Sequence, residues 1–108
     1  MSYDVYVECK LEGYDEWISV TDGNNITYNL ADMFDAACGA RPSLWHLQPC
    51  GYVLQLVTKG INELEKYPEK YNRYEASNGW GTIKGALSFL RRVRIDCEKY
   101  QKGRIFVG

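Results

Sequence analysis

With 108 residues, 45% of them hydrophobic and 14% aromatic, the chain has material for one packed core and too little for two, so a single domain over 1–108 is expected. No run approaches the roughly 18 apolar residues of a membrane helix, and Met1-Ser2-Tyr3-Asp4 shows neither a basic nor an apolar leader segment, which points to a cytoplasmic protein that does not engage a membrane. Net charge is −1 but unevenly spread: residues 1–40 set Lys10 against eight acids, a net of −7, and residues 41–108 set 12 bases against 6 acids, a net of +6.

From Tyr3 to Leu11 polar and apolar side chains alternate, with Tyr3, Val5, Val7, Cys9 and Leu11 on one side, the period of a half-buried strand. Glu12-Gly13-Tyr14-Asp15 reads as a turn, and Glu16 to Thr21 as the return strand of a hairpin, closed by Asp22-Gly23-Asn24-Asn25. The period then becomes helical. Leu30, Met33, Phe34 and Ala37 share a face, Asn29 stands at the N-cap with Asp32 behind it, and Gly39 stops the helix.

Ala40 to Gly51, with Pro42 and Pro49, is a connector. A second helix is expected over about Tyr52–Lys66, burying Val53, Leu56, Val57, Ile61 and Leu64, with one further turn after Pro68. Ala76 to Gly81 is a tight loop, and Thr82 caps a last helix with the stripe Ile83, Ala86, Leu87, Leu90, Val93, Cys97 and Tyr100. Arg104 to Val107 forms a final strand on the hairpin's edge. The expected fold is α+β, in the order β-β-α-α-α-β, with a three-stranded antiparallel sheet and helices packed on one face.

Four cysteines, at 9, 38, 50 and 97, match no disulfide framework and no C-x-x-C pair. Cys38, His46 and Cys50 lie within thirteen residues and are candidate zinc ligands, with Cys97 or Cys9 as a fourth; the alternative is small core-filling thiols and a surface histidine. No cofactor is required by any motif.

In the segment Asn25 to Asn29, turn and capping roles account for the two asparagines, leaving Thr27 and Tyr28 as candidate contacts. Trp80, between two glycines, is either a core anchor or an exposed contact residue. Arg91, Arg92 and Arg94 form a basic run, but a pI of about 5.8 favours a salt-linked surface over direct nucleic-acid binding. Nucleophile elbows, phosphate loops and paired histidines are missing from the sequence, so an enzyme is not expected.

Asn25-Ile26-Thr27-Tyr28-Asn29-Leu30 followed by Met33, the pair Leu44-Trp45, and Asn78-Gly79-Trp80-Gly81 before the last helix together resemble a family of small phage and bacterial proteins. Its members carry N-I-T-[HY]-N-L and N-G-W-G motifs, often with His at the position of Tyr28 and a basic residue at that of His46. The resemblance spans nearly the whole chain and brings no catalytic residues with it. It implies an accessory protein that binds a host protein or protein–nucleic-acid complex, with inhibition of a Cas nuclease (an anti-CRISPR role) as the specific expectation. Asp4, Glu8, Glu12, Asp15 and Glu16 would then compete for a positively charged nucleic-acid channel, with Thr27, Tyr28 and Trp80 as further contacts. The alternative expectation is a zinc-stabilised structural module.

Overall fold

The computed structural model describes residues 1–76 and 79–108. Its strands are β1 (Ser2–Lys10), β2 (Trp17–Ser19), β3 (Asn24–Thr27) and β4 (Arg104–Val107); its helices are α1 (Ala31–Cys38), α2 (Cys50–Lys66), α3 (Pro68–Tyr71) and α4 (Ile83–Lys99). The α+β class is as expected, and all pairings are antiparallel around a central β1. Four strands lie in three rows. β2 and β3 run end to end along one edge of β1, and β4 runs along the other.

The register explains why the hairpin's return strand is broken. Glu8 pairs with Ser19 and Val5 with Asn24, so β1 spends two residues where the return chain spends four. The surplus bulges outward. Val7 keeps both its bonds across the break, its carbonyl accepting from Val20 N at 2.9 Å and its N–H donating to Thr21 Oγ1 at 3.1 Å. Gly23 closes the bulge at φ 90°, against the ring of Tyr6, where a Cβ would collide.

Asn24–Thr27, expected as turn and loop, is a strand because Asn25 Nδ2 donates across the pair to Ser2 Oγ and Asp4 Oδ1, both at 2.8 Å. Thr27, rather than Asn29, supplies the cap: its Oγ1 accepts from Asn29 N at 3.2 Å, opening a single turn that leads into α1. Gly39 ends α1 in the left-handed conformation, as its sequence position implies.

Along β1 the burial alternates, with Tyr3, Val5 and Val7 under the helices and Asp4, Tyr6 and Glu8 on the opposite face. α2 begins at Cys50, immediately after Pro49, and buries Val53, Val57, Ile61 and Leu64. α4 is capped by Thr82 Oγ1, which accepts from Gly85 N at 3.0 Å, and it buries Phe89 while Leu87 and Tyr100 remain half-buried. The core centres on Phe34, Trp45 and Phe89, whose ring centroids lie 5.6–6.3 Å apart. Trp45 Nε1 donates to the Ala40 carbonyl at 3.0 Å, so the ring is buried without stranding its N–H.

The outer edge of β4 is closed by residues 46–49. Leu47 N donates to Ile105 O at 2.6 Å, Ile105 N to Gln48 O at 2.9 Å, and Val107 N to His46 Nδ1 at 3.0 Å. The outward N–H and carbonyl of Ile105 and the N–H of Val107 are thereby occupied, which hinders pairing with another chain. Leu47 takes φ 63° to make this strap, a conformation that costs a bulky residue about 1–2 kcal/mol. Among the described residues, no helix is long and apolar enough to cross a membrane.

Candidate functional site

The three proposed zinc ligands go to three different places. Cys38 is buried on α1 with its thiol against Gly60, and that burial pushes its pKa up to about 12. His46 sits at the sheet edge, where Nδ1 accepts from Val107 and the ring meets Phe106 edge-on at 4.9 Å. Cys50 heads α2 and is fully buried, its backbone N–H held by the Gly103 carbonyl at 2.9 Å. Among the described residues, no three His, Cys, Asp or Glu side chains gather as a metal site would require.

The acidic side chains do not form one surface either. Glu8 is only 16% exposed and pairs at 2.9 Å with Arg104, whose guanidinium lies 4.1 Å from the Trp17 ring. Asp4, four strand residues and about 13 Å away, accepts from Asn25. Asp15 meets Lys10 at 3.3 Å in an exposed pair, and Glu12 and Glu16 stand exposed on the same hairpin. Of these five carboxylates, Glu12, Asp15 and Glu16 at the hairpin end are the exposed ones. Glu8 is committed to holding the outer face of the sheet together.

Thr27, Tyr28 and Trp80 have a different fate. Two segments fifty residues apart meet because Gly81 is buried directly against Leu30 and Asn29: a Cβ there would stand 3.0 Å from Leu30 Cδ2 and 3.6 Å from Asn29 Cβ. The loop carrying Trp80 is tied by Ala76 N to Gly81 O at 2.9 Å and Gly79 N to Ala76 O at 3.0 Å, while Glu75 accepts from Ile83 N at the start of α4. Ser77 and Asn78, the latter the first residue of the N-G-W-G motif, lie outside the described residues.

Trp80 is 73% exposed, which settles its two readings in favour of the surface. Tyr28 is 41% exposed, its ring resting 4.3 Å from that of Tyr3. Thr27 spends its hydroxyl on the cap and contributes position rather than contact. Two large, solvent-exposed aromatics thus sit on adjoining backbone segments joined where Gly81 packs on Leu30.

Sequence reasoning missed the outer sheet face. Tyr6 and Phe106 have centroids 6.5 Å apart, His46 flanks Phe106, and Trp17 carries Arg104. The signal was present in the alternation of Arg104-Ile105-Phe106-Val107, which sends Phe106 away from buried Ile105. The basic run is tied into its surroundings: Arg91 faces Glu65 at 3.6 Å, Arg94 faces Glu98 at 3.8 Å, and Arg92 donates to Asn24 Oδ1 and Ser88 Oγ. Asn24 in turn donates to Asp96, closing a network between β3 and α4.

Compared with protein-family models, curated proteins and solved structures, the chain matches none of them.

Proposed function

We propose that the protein is a binding module, an accessory factor of a phage or mobile element that docks on a host macromolecular complex in the cytoplasm and inhibits it, with a Cas nuclease as the specific target. The observation that carries the binding part is the exposure of Tyr28 and Trp80 on backbone segments that meet at Gly81. Trp80 at 73% exposed and Tyr28 at 41% place two large aromatic surfaces where a partner can cover them. Trp and Tyr bring large contact area at small entropic cost, which is why they anchor interfaces.

The acidic hairpin end with Glu12, Asp15 and Glu16 supports the narrower target. A nuclease's nucleic-acid channel is positively charged, and exposed carboxylates steer a partner toward it. The structure trims the expected charge set, because Glu8 is neutralised by Arg104 and Asp4 is engaged by Asn25.

The test is to titrate the purified chain into DNA-cleavage reactions of a panel of guide-loaded Cas nucleases. The proposal expects cleavage by at least one of them to stop near one chain per nuclease, and to resume with Trp80→Ala. Undiminished cleavage across the panel removes the Cas-directed part.

A further inference from the structure

We propose that the protein forms an antiparallel dimer in which the hairpin turn of each copy seats in the α2–α4 groove of the other. The groove holds about 410 Å³ and runs beside the start of α4. Leu64, Ile83 and Leu87 form its apolar floor, and Glu65, Lys84 and Arg91 stand exposed along it. The charged rim is net positive, because Lys84 and Arg91 outnumber Glu65, and Arg91 meets Glu65 only through an exposed pair at 3.6 Å. Such a pair is worth little in water, so its arginine is free to turn to a second carboxylate.

The hairpin turn has the opposite charge and carries apolar side chains of the kind such a groove accepts. Tyr14 N donates to Leu11 O at 3.1 Å, and Gly13 takes φ 82° to close the turn. Leu11 and Tyr14 are thereby held at its two ends, 51% and 65% exposed. Around them Glu12, Asp15 and Glu16 outnumber Lys10. The uneven charge of the sequence thus becomes spatial: a carboxylate-rich apolar turn and a cation-rimmed apolar groove stand on one molecule.

A chain cannot fill its own groove. The turn follows Lys10 at one end of β1. The groove begins at Ile83, just beyond the Gly81 that packs on Leu30, and so lies toward the other end, where Thr27 pairs with Ser2. β1 spans nine residues, so roughly 27 Å separate its ends. In a second copy running the opposite way each turn faces the other's groove, and one two-fold axis satisfies both contacts. Each contact covers Leu11 and Tyr14 and brings carboxylates to Lys84 and Arg91. The dimer needs no other protein, so its test is separate from that of nuclease docking.

The experiment measures the mass of the full-length chain by sedimentation at ~0.05 M and ~0.5 M salt, with circular dichroism as the check on folding. We expect a dimer at low salt and a monomer at high salt. Glu16→Lys and Lys84→Glu, both at exposed positions, should each raise the dimer dissociation constant at least about tenfold. Tyr14→Ala, which changes no charge, should also weaken the dimer. An equimolar mixture of Glu16→Lys with Lys84→Glu should dimerise again, because a mixed pair has one native contact and one with both charges reversed. A wild type that stays monomeric or grows beyond a dimer at low salt, a dimer indifferent to both reversals, or a mixture that stays monomeric overturns the proposal. The wild-type salt comparison decides this even where a variant does not fold.

Discussion

The imidazole Nδ1 of His46 accepts the backbone N–H of Val107 at 3.0 Å, tying together residues 61 positions apart. The single histidine of the chain is thereby an edge cap that ends the ladder of β4. Its other contact, edge-on to Phe106 at 4.9 Å, fixes the ring orientation that makes the cap possible. Replacing His46 by Ala leaves the Val107 amide without its partner and strips the Phe106 ring of a neighbour. We predict a loss of about 1–2 kcal/mol in denaturant unfolding, with the slope of the transition unchanged.

Gly60 lies where a Cβ would overlap the Cys38 sulfur and press on Leu90 at 3.2 Å. The α1–α2 contact therefore requires a bare α-carbon on one helix and a small side chain on the other. Gly60→Ala is predicted to destabilise the protein by about 1–3 kcal/mol, despite the better helix propensity of alanine. The double variant Gly60→Ala with Cys38→Ala relieves the overlap and is predicted to be more stable than Gly60→Ala alone, a coupling read from a double-mutant cycle.

Alkaline pH should weaken the fold in a defined window. Burial raises Cys38 from 9.0 to about 12, and burial together with the 2.7 Å hydrogen bond to Glu63 raises Tyr71 from 10.0 to about 12. Below pH 9 both groups carry their protons in the folded and unfolded chains alike, so their contribution is fully present. As pH rises from about 9 to 12 the unfolded chain ionises first, and the stability tied to the retained protons is lost. Urea midpoints measured between pH 7 and 11 should fall from about pH 9. In Tyr71→Phe the part of the fall that begins near pH 10 should be reduced.

Much of the fold is legible in the sequence for a simple reason: period-two alternation in β1 and period-3.6 stripes in α1, α2 and α4 are local consequences of burying one face. What was not legible depends on distant partners. β3 reads as loop because Asn24 and Asn25 are poor strand residues, and it is Ser2, Asp4, Arg92 and Asp96 that hold their side chains. Cys38, His46 and Cys50 are close in sequence yet diverge, since a helix, a sheet edge and a helix start each claim one of them. Glu8 is taken up by Arg104, 96 residues on, a partner that no local pattern around Glu8 announces. The meeting of the segments that carry Tyr28 and Trp80 rests on Gly81 fitting under Leu30, which no local pattern announces.

The exposure of Trp80 predicts a separation of stability from binding. Trp80→Ala should unfold within about 0.5 kcal/mol of the wild type, as surface substitutions do. Tyr28→Ala gives up the packing of its ring on Tyr3 and should cost about 1 kcal/mol. Trp45→Ala, at a fully buried ring in the core trio, should cost about 3–5 kcal/mol.

The most direct measurement is quantitative capture from a bacterial host lysate at moderate salt, comparing immobilised wild type, Tyr28→Ala, Trp80→Ala and Arg91→Ala, each first shown to be folded. The account predicts one host complex held by the wild type and by Arg91→Ala, and lost from both aromatic variants. Equal recovery on all four proteins, or nothing held by the wild type, would contradict it.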